Sequence, residues 1–162
     1  MILSVHSPAA QSGRLWRWMR ALNRRMVARY RRGIGPRGLV LLLTTTGRKS
    51  GLPRVTPLQY ECVGDDIYVA SARGAQADWF CNLVAEPRVV VQIGQDRRDA
   101  LAEPIRDPAR VADFLALRLC RHPIMMRLML LFEGVPPWGG RTALERIAVQ
   151  KTIVALRPVS GS

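Results

Sequence analysis

Apolar positions recur at three- and four-residue steps from Gly13 to Arg32. Leu15, Met19, Leu22, Met26 and Tyr30 form one stripe, and arginines fill the other faces. That period predicts a helix, which Gly33-Ile34-Gly35-Pro36 ends. The pattern then changes. Leu39–Thr46 is an apolar run closing in three threonines and predicts a strand. Gly47–Pro53 reads as a loop. Arg54–Val63 and Ile67–Ser71 predict two strands joined by the tight turn Gly64-Asp65-Asp66. Gly74–Asp78 reads as a loop, and Trp79–Ala85 as a short helix ended by Glu86-Pro87. Arg88–Ile93 and Arg97–Pro104 predict a second hairpin around Gly94–Asp96. Asp107-Pro108 supplies an N-cap and a first-turn proline for a helix to about Arg121. Pro123 breaks it, and a second apolar helical piece covers Ile124–Phe132. After a Pro/Gly loop at Gly134–Gly140, Thr142–Val149 reads as helix and Thr152–Leu156 as a last short strand.

Strands joined by short turns imply antiparallel pairing, hence a barrel or curled sheet with helices outside. The βαβ alternation of a doubly wound fold is missing. No GxGxxG follows the first strand, which argues against a Rossmann nucleotide site. The 162 residues, 48% of them hydrophobic, suit one core. The expected organisation is a single domain, 1–162. It comprises a basic amphipathic helix at 13–32, a barrel at 38–105 and 152–157, and a helical segment at 107–149. The apolar runs Leu39–Leu43 and Leu128–Phe132 fall far short of the roughly 20 residues that span a bilayer. The start lacks the pattern of a cleaved signal peptide. Cys62, Cys81 and Cys120 are odd in number and widely spaced, and the histidines are His6 and His122. The expectation is no zinc site, no disulfide framework and a reducing cytoplasm.

Charge adds a direction. The net charge is +13, and every Asp and Glu lies at position 61 or later. The first sixty residues hold twelve basic residues and no acid. One part of the surface is therefore expected to attract a polyanion: nucleic acid, anionic lipid, or an anionic cofactor or substrate.

Two segments could carry chemistry. In TTTGRKSGLPRVTPL (Thr44–Leu58) a glycine-bounded loop presents Arg48, Lys49 and Ser50, with Arg54 following. Backbone N–H groups and adjacent cations favour a phosphate or carboxylate there. The competing reading is a basic hairpin turn facing water. In SARGAQADWFCNL (Ser71–Leu83) small residues would let a planar ligand approach the backbone. Arg73 could meet an anionic group and Trp79 a ring system. Trp79 as a core anchor and Asn82 as a local cap is the competing reading.

Together, LLLTTTGRKSGLPRVTPL, the Gly-Asp-Asp hairpin and SARGAQADWFCNLVAEPRVVVQIG resemble the deazaflavin-dependent nitroreductase family, closely over about Ile34–Gly94. That resemblance implies an α+β fold, a mainly antiparallel split β-barrel of the FMN-binding type with an N-terminal helix and flanking helices. It implies coenzyme F420 as cofactor, with its phosphate and oligoglutamate tail held by Arg48, Lys49, Ser50, Gly51 and Arg54. Thr56 and Pro57 match positions lining the deazaflavin ring or its polar edge. Ala70, Ser71, Ala72, Arg73 and Gly74 match the loop before the tryptophan, and Trp79 and Asn82 match a W-x-x-N-L segment. The chain departs from the family's pattern in this loop: Arg73 stands for a usual Lys, Ala75 for a Gly and Phe80 for a Tyr.

The activity so implied is an oxidoreductase passing hydride between reduced F420 and an activated alkene, nitro compound or quinone. No catalytic side chain and no metal ligand is expected, because the cofactor performs the chemistry and the protein binds and orients it. A hydroxyl such as that of Tyr60 or Tyr68, or solvent, would supply a proton. An apolar substrate wall is expected from the N-terminal helix and Met125, Met126, Met129, Phe132 and Trp138, with helix packing as the alternative. An FMN-dependent reductase and a non-enzymatic flavin or deazaflavin carrier remain open. Residues 13–32, with Trp16 and Trp18, also fit a helix lying on the cytoplasmic membrane face. No nucleic-acid motif accompanies the charge, so nucleic acid is not an expected partner. A dimer is compatible with the fold.

Overall fold

The computed structural model of the chain describes residues 25, 27–29, 38–71, 74–136 and 139–159. The strands are β1 (Val40–Thr46), β2 (Pro53–Val63), β3 (Asp66–Ser71), β4 (Arg88–Ile93), β5 (Asp96–Ile105) and β6 (Thr152–Pro158). They close an antiparallel barrel in the order β1-β2-β3-β6-β5-β4. The helices are α1 (Asp78–Ala85), α2 (Pro108–Arg121), α3 (Pro123–Phe132) and α4 (Arg141–Ala148), with a 3-10 turn at Gly74–Gln76.

Alternation along the strands divides the apolar residues between two cores. Leu41 and Leu43 of β1, Ile67 and Val69 of β3, Val89 and Val91 of β4, Ala100 and Ala102 of β5, and Val154 and Leu156 of β6 fill the barrel. Trp79, Phe80 and Leu83 of α1 complete that core. The opposite faces of β3, β5 and β6 contribute Tyr68, Ala70, Ile105, Ile153 and Ala155 to a second core under α2, α3 and α4. The Tyr68 and Phe114 rings meet there at 6.0 Å. Thr152–Leu156 of β6 is buried throughout, which is why it reads as a continuous apolar run rather than an alternating one.

The fold class matches the reading from sequence. Two local details differ. Residues Gly74–Gln76 wind into a 3-10 turn instead of an open loop. The last strand runs to Pro158, because Leu101 and Ala100 of β5 continue the ladder to Arg157 and Pro158. Arg157 is also held by Asp66 and Glu103. Of the expected helix 13–32, Arg25 and Val27–Arg29 are described and helical. The rest of it, like Trp138, lies outside the described residues. Among the described residues, no helix is long and apolar enough to cross a membrane, and no cluster of potential metal ligands occurs.

The Asp107 carboxylate caps α2 by accepting from the Ala109 amide at 3.1 Å, with Pro108 at the first helical position. At its other end, α2 is anchored to the barrel by charge. Glu61 projects from the outer face of β2, opposite Tyr68. Its carboxylate meets Arg118 at 3.3 Å, Arg121 at 3.3 Å and His122 at 3.0 Å. Arg118 also donates to Gln59 at 2.7 Å. Both Glu61 and Arg118 side chains are only 6% exposed. Glu61→Ala leaves the Arg118 guanidinium buried without its counter-ion. Unfolding by denaturant should show a loss of about 3–5 kcal/mol, as for other broken buried pairs.

Candidate functional site

The loop between β1 and β2 is a tight, internally bonded turn. The Gly47 amide donates to Leu52 O at 2.9 Å, and the Ser50 and Gly51 amides donate to Gly47 O at 3.0 and 2.7 Å. A Cβ on Gly47 would sit 2.8 Å from Ser50 Oγ and 3.1 Å from Leu52 O, so only glycine fits without a shift. Ser50 Oγ accepts from the Leu52 amide at 3.4 Å and from Arg54 at 3.5 Å. Arg48, Lys49, Ser50 and Arg54 are all exposed.

Arg48 and Lys49 of this loop and Arg54 at the start of β2 have different surroundings. Arg48 reaches across to α1. Its guanidinium donates to Asp78 Oδ1 at 3.1 Å, Asp78 O at 3.3 Å and Asn82 Oδ1 at 3.0 Å. Its backbone N–H also donates to Asn82 Oδ1, at 3.2 Å. Lys49 and Arg54 have no carboxylate partner among the described residues. Asn82 is 5% exposed, and its Nδ2 donates to Thr45 Oγ1 at 3.3 Å. Thr45 in turn donates to Arg54 O at 3.5 Å. One buried carboxamide thus joins the end of β1, the loop and α1. Arg48 is a strut of the loop, and Lys49 and Arg54 carry its unbalanced charge.

The second segment is also built tightly. Ser71 Oγ donates to Gly74 O at 2.7 Å in a buried position. Gly74 has φ +55°, and a Cβ there would meet Gln150 O at 2.6 Å, so both conformation and space demand glycine. Ala72 and Arg73 lie outside the described residues. Trp79 packs edge-on to Phe80, with centroids 6.0 Å apart, inside the barrel core. Arg106 lies over the other ring, 5.5 Å from the Phe80 centroid. Ala70 packs under the helical layer rather than toward the loop. Thr56 stands opposite Leu43 and Pro57 opposite Leu42, so consecutive positions serve opposite faces of β2.

A groove of about 500 Å³ runs over the outer face of the sheet, lined by Thr44, Pro53, Val55, Val90, Gln92 and Arg97. It adjoins a second hollow that reaches Gly51 of the basic loop, Arg88 and Leu101. Sequence reasoning placed the basic loop but missed this groove, and it missed Asp78 as the partner of Arg48. The i, i+4 spacing of Asp78 and Asn82 on a short helix was the available signal. Of the expected apolar wall, Met126 is a core residue, whereas Phe132 is largely exposed.

Burial raises the Tyr60 phenol above its ordinary pKa, and the neighbouring Cys62 and Glu61 add to the rise. A raised folded-state value means the stability associated with this group is complete below the unfolded pKa of about 10. It is then lost as pH climbs through the higher folded value. Ultraviolet titration should show a tyrosine ionising above the ordinary midpoint, and Tyr60→Phe should remove that late phase. Asn82→Ala removes the bonds to Arg48 and Thr45 and leaves Thr45 and the loop under-satisfied. The expected cost is about 1–3 kcal/mol, read from thermal unfolding, together with faster amide exchange at residues 47–51.

A family model described as F420H(2)-dependent quinone reductase matches residues 14–121. An F420H(2)-dependent quinone reductase of Mycobacterium tuberculosis is 36% identical over 69 residues, 41% of this chain and 46% of that protein. The chain thus spans about half the length of the curated relatives it matches. Among solved structures, an F420 reductase aligns with a TM-score of 0.51 at 17% identity, over 76% of this chain and 89% of its own. The heme storage protein HutZ of Vibrio cholerae aligns with a TM-score of 0.55 at 16% identity, over 86% and 92%. Those two likenesses establish the barrel fold. The family model covers β1 to β5, α1 and α2, including the loop and helix that meet at Asn82, and the chain belongs to the F420H(2)-dependent quinone reductase family.

Proposed function

We propose that this chain binds coenzyme F420 and passes hydride between its reduced form and a small organic acceptor of quinone, activated-alkene or nitro type. The observation that carries this reading is the pair of cations left unbalanced on a rigid, glycine-bounded loop. Arg48 is engaged by Asp78 and Asn82, so the loop keeps its shape while Lys49 and Arg54 face solvent without a carboxylate partner among the described residues. Such a surface suits a phosphate and a string of carboxylates. Ser50 Oγ and Gly51 belong to the same anion-facing turn. A planar ring system could lie in the adjoining groove, on the face of β2 that Pro57 shares with Pro53 and Val55, whereas Thr56 lies on the other face.

When bound, the deazaflavin supplies the hydride chemistry. The chain's part is to hold the anionic end and to fix the orientation of the ring, with Ser71 and Gly74 joined by a 2.7 Å hydrogen bond. No side chain is assigned a covalent step. Contact of residues 13–32 with a membrane face belongs to this reading as well, since twelve basic residues and no acid occupy the first sixty positions. Loss of vesicle binding on deleting that segment would support it.

Titration of the protein with F420 and with FMN, followed by cofactor fluorescence, tests the assignment. F420 should bind more tightly, and the binding should weaken with salt. Lys49→Ala and Arg54→Ala should each weaken F420 binding by about tenfold, with a shallower salt dependence, because each removes one charge-assisted contact. Preference for FMN would move the chain to flavin chemistry on the same barrel. Binding of F420 without oxidation of its reduced form by quinones would make it a carrier.

A further inference from the structure

The groove over the outer face of the sheet has a chemistry of its own. Its floor is a row of three β-branched residues on adjacent strands, Val55 of β2, Thr44 of β1 and Val90 of β4. Pro53 extends the floor toward the basic loop, and Gln92 and Arg97 stand at the other side. Arg97 is the one charged residue among these lining residues. The floor is thus uncharged, with a single cation at its edge.

Register makes Gln92 and Arg97 a unit. They are directly opposed across β4 and β5, so their Cβ atoms lie about 5 Å apart on one face. Gln92 Nε2 donates to Gly94 O at 3.0 Å. That bond engages the amide end of the carboxamide and leaves Oε1 as its open acceptor. Arg97 has no carboxylate partner among the described residues. Asp96 pairs with Arg98, Glu103 pairs with Arg157, and Asp99 lines the adjoining hollow. The two side chains therefore offer one acceptor beside a fork of donors.

That arrangement is the complement of an imide edge, in which an N–H lies between two carbonyls. Gln92 Oε1 can accept from the N–H, and the guanidinium can donate to the flanking carbonyl. The pyrimidinedione edge of a deazaflavin is such a group. A phosphate or a carboxylate has no N–H to give, so the tail suits the basic loop and not this pair. The placement agrees. Three strand spacings, about 14 Å, separate β2, which follows the loop, from β5, which carries Arg97. The tail and the far edge of the ring can then be held at opposite ends of one groove.

We propose that Gln92 and Arg97 bind the pyrimidinedione edge of the deazaflavin and fix its orientation over Val55, Thr44 and Val90. This rests on the reading that the groove takes the ring. The same edge occurs in flavins, so the pair sets the orientation of the ring rather than the choice between the two cofactors.

The test is equilibrium binding, followed by cofactor fluorescence, of F420 and of the tailless deazaflavin that lacks the phosphate and glutamates. Arg97→Ala should weaken both by about tenfold, whereas Lys49→Ala should weaken F420 alone. Arg97 is exposed, so its variant should keep the wild-type unfolding midpoint. The wild type should prefer the tailless deazaflavin to its N3-methyl derivative, and Gln92→Leu should erase that preference. Equal binding of F420 by Arg97→Ala and the wild type would overturn the inference and leave the cofactor reading standing. A loss confined to F420 would overturn it too, and would give Arg97 to the tail. A wild type that binds F420 but not the tailless ring, or that ignores the N3-methyl group, would likewise remove this pair from the edge. Failure of the wild type to bind F420 at all would overturn both readings.

Discussion

β6 carries apolar side chains on both faces, and both must be covered. Val154 and Leu156 point into the barrel, while Ile153 and Ala155 point away from it. A strand of this kind cannot sit at an open edge, so it lies between β3 and β5 and closes the barrel. Its outer face then needs a second apolar layer, which α2, α3 and α4 supply. That placement commits the outer faces of β3, β6 and the far end of β5 to packing. The outer faces of β1, β4 and the near end of β5 stay open, and the groove lies there.

The division extends along single strands. In β5, Arg97 and Leu101 line the open face, whereas Ile105 is buried under the helices. In β2, Pro53 and Val55 border the groove, whereas Glu61 reaches beneath the helical layer to Arg118. One long strand thus borders the open groove at one end and a structural layer at the other. The buried ion pair adds little to stability relative to an apolar replacement. It does set the register of α2 on the sheet, because Glu61 accepts from Arg118 and from Arg121, one turn later on the same helix.

Most of this architecture was legible in the sequence. The hairpins announced themselves through the tight turns Gly64-Asp65-Asp66 and Gly94–Asp96, and α2 through Asp107-Pro108. These are local signals, and local signals survive in a sequence read alone. The roles within the site were less legible because they depend on contacts across the chain. Arg48 and Asn82 are 34 positions apart, and only the fold brings them to 3.0 Å. Before that contact was visible, Arg48, Lys49 and Arg54 were chemically equivalent cations. Likewise, the methionines and Phe132 of α3 could be read as a substrate wall or as helix packing. Periodicity cannot separate the two in a helix apolar all round, since no polar face marks the outside.

The uneven charge distribution explains why the loop keeps its positive potential. With every acid at position 61 or later, no carboxylate can neutralise the loop from a neighbouring position in sequence. Partners must arrive through tertiary structure, and the one that does, Asp78, comes on a helix whose first turn can face only part of the loop. It captures Arg48, which the buried Asn82 carbonyl has already aligned through the Arg48 backbone amide. Lys49 and Arg54 have no carboxylate partner among the described residues, while Glu61, Glu133 and Glu103 are taken by Arg118, Lys151 and Arg157. A rigid frame beside unbalanced cations is what recognition of a multiply charged anion requires. In this chain both come from the same loop, since the cation that was neutralised is the one that holds the frame.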